Sequence, residues 1–262
     1  MKMERRNKVT LVKVGGKVVE NETTLDDLLT SFSQIEGYKG LIHGGGRLAT
    51  QIAEQLGVET QMIDGRRITN DEMLEVVTMV YGGLVNKKIV AALQAKAVNA
   101  LGLTGADLNC ILSAKRPVKK IDYGWAGDVK KVAGDELGNL IRRGIVPVMA
   151  PLTHDGKGHL LNTNADTIAG ELAKALAPHF EVTLVYCFEK EGVLRSIDDE
   201  GSVIERLDYA SYQAYVSAGV IEGGMIPKLD NAFEALDSGV YEVIITKSTL
   251  INDLSKGTHI QR

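Results

Sequence analysis

With 262 residues, 44% hydrophobic and 24% charged, the chain has an ordinary globular composition and enough length to bury one large core or two small ones. Its 30 Lys and Arg against 34 Asp and Glu leave a net charge of −4, so no basic excess exists for a nucleic-acid backbone, and a general nucleic-acid binder is excluded. Two cysteines in apolar runs, Cys110 and Cys187, exclude a disulfide framework, and the 5 histidines share no metal-ligand spacing. The start carries no secretory h-region and no run approaches a membrane span, so a cytoplasmic protein without membrane partners is expected.

The first strand is "KVTLVKVGG", in which Lys13 lies between Val12 and Val14. A lysine near the end of a core strand loses hydration and requires a partner anion at the carboxyl edge of the sheet, where open α/β sheets bind ligands. Lys17 is expected to be solvated. The segment is no Walker loop, since Leu11 stands where a glycine is needed and no Ser or Thr follows Lys17. The second strand, "KGLIHGGG", runs into a helix with Leu48, Ile52 and Leu56 on one stripe and Gly57 as its stop. Three readings of the triple glycine stand side by side. Gly44, Gly46 and Ala49, with Asp64 further on, fit a dinucleotide fingerprint, but "GVETQMID" is too polar for the buried second strand of that fold. A tight turn without a ligand is the second reading. A backbone cradle whose amides accept an anion at the helix N-terminus is the third.

"DGRRITN" then places two arginines in a loop, either of which suits bidentate recognition of a carboxylate. From Glu72 to Leu101 a long helical pattern is broken by "YGG", which predicts a kink or an interruption. "NALGLTGAD" is the third strand, followed by a hairpin over Pro117–Val132 and a helix through Leu137, Leu140 and Ile141 that ends before Gly144. After the strand "GIVPVMAPL", the segment "LLNTNAD" puts Asn162, Asn164 and Asp166 at the mouth of a helix striped by Ile168, Leu172 and Leu176. Asn164 suits an N-cap, and Asp166 in the first turn is favoured by the helix dipole. "VTLVYCF" is a strand and Gly192–Leu207 a second hairpin. In "EGGMIPK", Pro227 suits a helix start, so Lys228 falls in the first turn, against the dipole. Two readings remain open there: a solvated lysine, or one that shares an anion with the helix end. That helix continues through Leu229, Phe233 and Leu236 to Gly239, and "VYEVIITK" is the last strand. Strands alternating with helices predict a largely parallel sheet covered on both faces.

Taken in order, "KVGG", "HGGGR", "GRRIT", "NTNAD" and "GGMIPK", with "GGLVNKKIV" at Gly82–Val90, resemble the amino-acid kinase superfamily and, within it, the acetylglutamate kinases of arginine biosynthesis. The resemblance runs from Lys8 to about Ser248. It implies a three-layer α-β-α sandwich around a largely parallel sheet, in a single domain, 1–262, with a substrate lobe (about 1–178) and a nucleotide lobe (about 179–262). It also implies ATP-dependent phosphorylation of the side-chain carboxylate of N-acetylglutamate, with Mg²⁺ carried by the nucleotide and no metal site on the protein. Lys13 and Lys228 would stabilise the moving phosphoryl group and Asp166 would orient both. Gly45 and Gly46 would offer amides to the reacting end, and Arg67 with Asn162 would hold the α-carboxylate. Gly15, Gly16, Glu189, Gly224 and Met225 would border the nucleotide. The chain departs from the family in "YCFEKEGVL", where Phe188 and Glu189 replace a hydroxyl residue and an aspartate, and in a short C-terminal segment without the usual acidic loop. A short lead into the first strand, without the long N-terminal helix of arginine-inhibited hexamers, implies a homodimer without that feedback. Arg66 either meets an extra acyl carboxylate, as in N-succinylglutamate, or is a solvated loop charge. A non-catalytic nucleotide sensor of the same fold is the alternative of a different class. A carboxylate nucleophile is already ionised at neutral pH, so a site of this kind needs no general base and no histidine or cysteine constellation.

Overall fold

In the computed structural model, residues 7–63 and 65–262 are described; Asp64, the acidic residue of the dinucleotide fingerprint, lies outside them. Strand β1 (Lys8–Val14) leads through α1 (Gly16–Glu20) and α2 (Glu22–Ser33) to β2 (Tyr38–His43) and α3 (Gly46–Gln55). A short hairpin, β3 (Met62–Ile63) and β4 (Arg66–Arg67), precedes a helix that runs from α4 (Asp71–Val77) through a π-helical stretch, Thr78–Val85, into α5 (Asn86–Ala95). There follow β5 (Ala100–Leu103), β6 (Ile111–Lys115), β7 (Gly127–Val132), α6 (Gly134–Arg142), β8 (Val146–Met149), β9 (Leu152–His154), β10 (Leu160–Asn162) and α7 (Ala165–Leu176). The remainder is β11 (Glu181–Phe188), β12 (Arg206–Leu207), α8 (Tyr209–Ser217), α9 (Met225–Asp237), β13 (Glu242–Lys247) and β14 (Thr258–Ile260).

Among the described residues the main sheet has 8 strands in the order β12-β14-β13-β11-β1-β2-β8-β5, and β13/β14 is its antiparallel pair. The expected largely parallel sheet between helical layers is borne out. β1 lies in the middle, and its alternation divides two cores. Val9 and Leu11 join a cluster with Ile168, Leu172 and Leu176 of α7 and Leu229 and Phe233 of α9. Val12 and Val14 join the other, with Leu28 and Phe32 of α2 and Val76, Val80 and Ile89 of the long helix. Period two therefore puts Lys13 on the Leu11 face, toward α7 and α9.

Several local expectations need correction. The first hairpin is β6 with β7, joined by a long loop, so its leading strand is Ile111–Lys115 and Pro117–Ala126 is mostly loop. The second is reduced to one antiparallel bridge, Leu194 to Val203, while Arg206–Leu207 pairs with β14. The "YGG" stretch does not interrupt its helix; Gly82 and Gly83 lie inside the π-helical turns. Contrary to the absence of any membrane-length run, Asp71–Ala95 is long and apolar enough to cross a bilayer by length and composition. Met73, Val76, Val77, Val80, Tyr81, Val85, Ile89 and Leu93 are buried in the second core, which accounts for that apolarity as packing. On α3 the fully buried positions are Ala49 and Ala53, whereas Leu56 is 58% exposed, because the helix packs closely enough to admit only small side chains there.

Candidate active site

Lys13, one residue before the end of β1, Asp166, in the first turn of α7, and Lys228, in the first turn of α9, converge beyond the carboxyl edge of the parallel sheet. Lys13 Nζ lies 2.6 Å from Asp166 Oδ1, and Lys228 Nζ 3.0 Å from Asp166 Oδ2, so one carboxylate holds both ammonium groups. Asn164 caps α7, accepting from the Asp166 and Thr167 amides at 2.8 and 3.1 Å, which fixes the turn that presents the carboxylate. Burial pushes the Asp166 carboxyl up, but Lys13 and Lys228 overcome that and hold it below its ordinary value. Lys228 is lowered, first by burial and also by Lys13, against the opposing pull of Asp166. The Phe188 ring lies 5.8 Å from Lys13 Nζ and 4.4 Å from Lys228 Nζ and stacks on Tyr186. The residue that departs from the family pattern is thus an aromatic surface against both cations.

Two cavities adjoin this cluster, and Gly16 lines both. The smaller, about 190 Å³, is bordered by Gly44, Gly45, Gly46, Arg66, Arg67, Tyr81 and Asn162. Gly44 and Gly45 are glycines for steric reasons: a Cβ on Gly44 would meet the Gly16 amide nitrogen at 3.3 Å, and one on Gly45 the Tyr81 ring at 3.1 Å. Neither the Gly45 nor the Gly46 amide donates to a group among the described residues. Arg67 is 7% exposed yet has no carboxylate partner among the described residues. Its Nη2 donates to the Gly46 carbonyl at 2.7 Å and to Thr50 Oγ1 at 2.8 Å, both neutral. Asn162, from β10, donates to Thr69 Oγ1 at 3.0 Å and faces the same cavity. Arg66, adjacent to Arg67 in β4, is half-buried rather than freely solvated, and burial and the nearby Arg116 cation lower its pKa.

The larger cavity, about 740 Å³, is bordered by Lys13, Gly15, Gly16, Phe188, Glu189, Met225 and Lys228, among others. Gly224 is not on its wall; it is the N-cap of α9, so its part is to start the helix that carries Lys228. Lys17, expected to be solvated, is half-exposed and donates to Glu189 at 2.7 Å at the wall of this cavity.

Composition and spacing did not single out Tyr81, His43 or Asn86. Tyr81 covers the glycine turn, and burial raises its hydroxyl pKa against the lowering effect of Arg67. His43 is fully buried behind the same turn, hydrogen-bonded to Asn86, and burial lowers its pKa to about 4. The "YGG" break was the available signal for Tyr81; the π-helical register behind it has no composition of its own.

The profile of the amino acid kinase family matches residues 8–247. The chain belongs to the amino acid kinase family. Within it, the acetylglutamate kinase of Bacteroides fragilis is 62% identical over 262 residues, covering all of both chains. The acetylglutamate kinase of Methanopyrus kandleri is 38% identical over 240 residues, 90% of this chain and 94% of that one. The carbamate kinase of Giardia lamblia bound to AMP-PNP superposes with a TM-score of 0.68 at 14% identity, covering 98% and 99% of the two chains, and shows the shared fold. The resemblance stated from the motifs is borne out, and an amino acid kinase of this kind uses ATP.

Proposed function

We propose that this amino acid kinase transfers the γ-phosphoryl group of ATP to the side-chain carboxylate of N-acetyl-L-glutamate, as in arginine biosynthesis. The observation that carries the proposal is the pair of cavities that share Gly16, the larger walled by Lys13 and Lys228 of the Asp166 cluster and the smaller reaching Asn164 and Ala165, just before Asp166. The names of the full-length relatives support the same acceptor. The smaller cavity takes the acyl amino acid, its α-carboxylate on Arg67 and Asn162 and its reacting carboxylate toward the Gly45 and Gly46 amides. The larger takes ATP along Gly15, Gly16 and Met225, so that most acceptor contacts come from about 1–178 and most nucleotide contacts from about 179–262.

Such a reaction brings an anion to a polyanion. No base is needed, so the work of the site is in-line positioning and fixed positive charge. Lys13 and Lys228 neutralise the equatorial oxygens of the moving group while Asp166 keeps the two ammoniums together. Among the described residues no three His, Cys, Asp or Glu side chains converge to hold a cation. Mg²⁺ would be carried by the nucleotide phosphates and would neutralise charge there.

ATP turnover coupled to N-acetylglutamate, with hydroxylamine trapping of the acyl phosphate, tests the assignment. Acyl-dependent ADP release and a hydroxamate are expected; ATP binding without either would leave a nucleotide sensor. N-Succinylglutamate at equal concentration is expected to turn over more slowly, and equal or faster turnover would replace the acetyl group with a dicarboxylic acyl group reaching Arg66. A homodimer is part of the proposal, supported by the place of β5 at the end of the main sheet, where Leu101 is 38% exposed. Sedimentation equilibrium should give twice the chain mass of 28.3 kDa; the single mass would remove the dimer.

A further inference from the structure

The glycine turn is braced from its buried side by an imidazole. His43 ends β2 opposite Val14, is fully buried, and places Nδ1 2.8 Å from the Gly44 carbonyl oxygen. Its Nε2 lies 3.1 Å from Asn86 Nδ2. The surroundings of Asn86 decide which ring nitrogen carries the proton. Asn86 Nδ2 is 2.9 Å from the Val148 carbonyl, which only accepts, so this atom is the amide nitrogen and a donor. Asn86 Oδ1 accepts from Lys87 Nζ at 3.1 Å, and Lys87 is anchored in turn on the Gly102 carbonyl at 3.2 Å. His43 Nε2 must then accept from Asn86, and Nδ1 carries the hydrogen that it donates to Gly44.

The backbone is shaped for this chain of bonds. A Cβ on Gly102 would collide with Asn86 Oδ1. The π-helical stretch Thr78–Val85 brings residues roughly five apart toward one side, whereas at about 3.6 residues per turn they would diverge. Tyr81 accordingly packs over Gly45 while Asn86 reaches His43, from one helix onto one turn.

We infer that His43 is a positioning residue for phosphoryl transfer: its Nδ1–H holds the Gly44 carbonyl on the buried side and so aims the Gly45 N–H into the acceptor cavity. In a trans peptide the carbonyl and the following amide hydrogen point in opposite directions, so fixing Gly44 O fixes the donor of Gly45. The Gly44 amide, bonded to the Val14 carbonyl at 3.1 Å, anchors the other side of the same residue. A preorganised amide spends nothing on reorientation when charge develops, and that is the advantage of bracing the turn from behind.

The inference rests on the proposed carboxylate kinase activity; wild-type protein without acyl-dependent turnover would defeat that activity, while the ring tautomer, measured without catalysis, reports on the bracing alone. Long-range ¹⁵N–¹H spectra of histidine-labelled wild-type protein are expected to show a neutral His43 protonated at Nδ1; protonation at Nε2 would overturn the inference. His43→Gln, which offers no donor near Nδ1, is expected to lower kcat by about tenfold or more with both KM values within about threefold, the pattern of a donor used in the transition state. His43→Asn, whose amide nitrogen falls near the Nδ1 position, is expected to restore most of that turnover. Equal losses in the two variants, or wild-type turnover in His43→Gln, would reduce His43 to a packing residue.

Discussion

Lys13→Ala is expected to lower kcat by about 100-fold, on the order of 3 kcal/mol of transition-state stabilisation, with KM for ATP and for the acyl acceptor changing little. Lys13 is 6% exposed and sits on the strand face that meets α7, so its ammonium is fixed before substrate arrives. Fixed charge in a site shielded from water acts on the moving phosphoryl group without reorganisation. Lys228 is more accessible, shares the same carboxylate, and belongs to a helix start rather than a core strand. Lys228→Ala is expected to cost at least about tenfold in kcat, the lower end for removing one such donor. Near wild-type turnover in either variant would remove that lysine from the mechanism.

Asp166→Asn separates positioning from stability in the same cluster. It keeps the shape of the first turn of α7 but releases both ammoniums. The folded-state pKa of Asp166 is depressed, so its ion pairs contribute stability that is fully present above the ordinary value of 3.8 and is lost as pH falls through the lower folded value. Acid unfolding followed by circular dichroism should therefore lose part of its pH dependence below 3.8 in Asp166→Asn, alongside the loss of turnover. An unchanged acid transition would mean that the carboxylate is not tied to the lysines in solution.

The convergence of these groups was only partly legible in the sequence. Lys13 announced itself because a cation inside an apolar, β-branched run has few inexpensive places to go, and period two then fixes the face. Its meeting with Asp166 and Lys228 was not in any local spacing; the order of the motifs supplied it, and the parallel register of β1 beside β11 makes the meeting possible. Between Arg66 and Arg67, residue type is silent. The pairing of Met62 with Arg67 and of Ile63 with Arg66 sets the hairpin register, and it is Arg67 that goes inward. The first hairpin was misplaced because "PVKKIDYG" has the charge and turn residues of a hairpin limb, while the true limb, "ILSAK", is short and has Lys115 lying 4.1 Å over the Trp125 ring. The brace behind the glycine turn was illegible for another reason. His43 and Asn86 are 43 positions apart, and their meeting depends on a π-helical register that hydropathy does not encode.

The second large effect is expected at Arg67. A guanidinium at 7% exposure with only neutral partners among the described residues carries a charge that costs several kcal/mol unless an anion joins it. In the proposed function a substrate carboxylate would supply that anion and convert the cost into binding. Arg67→Met, which keeps an unbranched apolar stem but removes the charge and the Nη1 contact with Met73 Sδ, is expected to raise KM for the acyl-glutamate by about 100-fold or more, the scale of a charge-assisted bidentate contact. The same substitution is expected to leave Tm unchanged or higher, because Thr50 Oγ1 already donates to the Gly46 carbonyl at 3.1 Å and relieves the loss of the Arg67 bond. Arg67→Lys should fall between, since a point charge replaces a planar fork. Steady-state kinetics and thermal unfolding on the same preparations separate the two roles. Should Arg67→Met lose several degrees of Tm while its KM stays near wild type, the guanidinium would be a structural strut, and the acceptor's α-carboxylate would have to be held elsewhere.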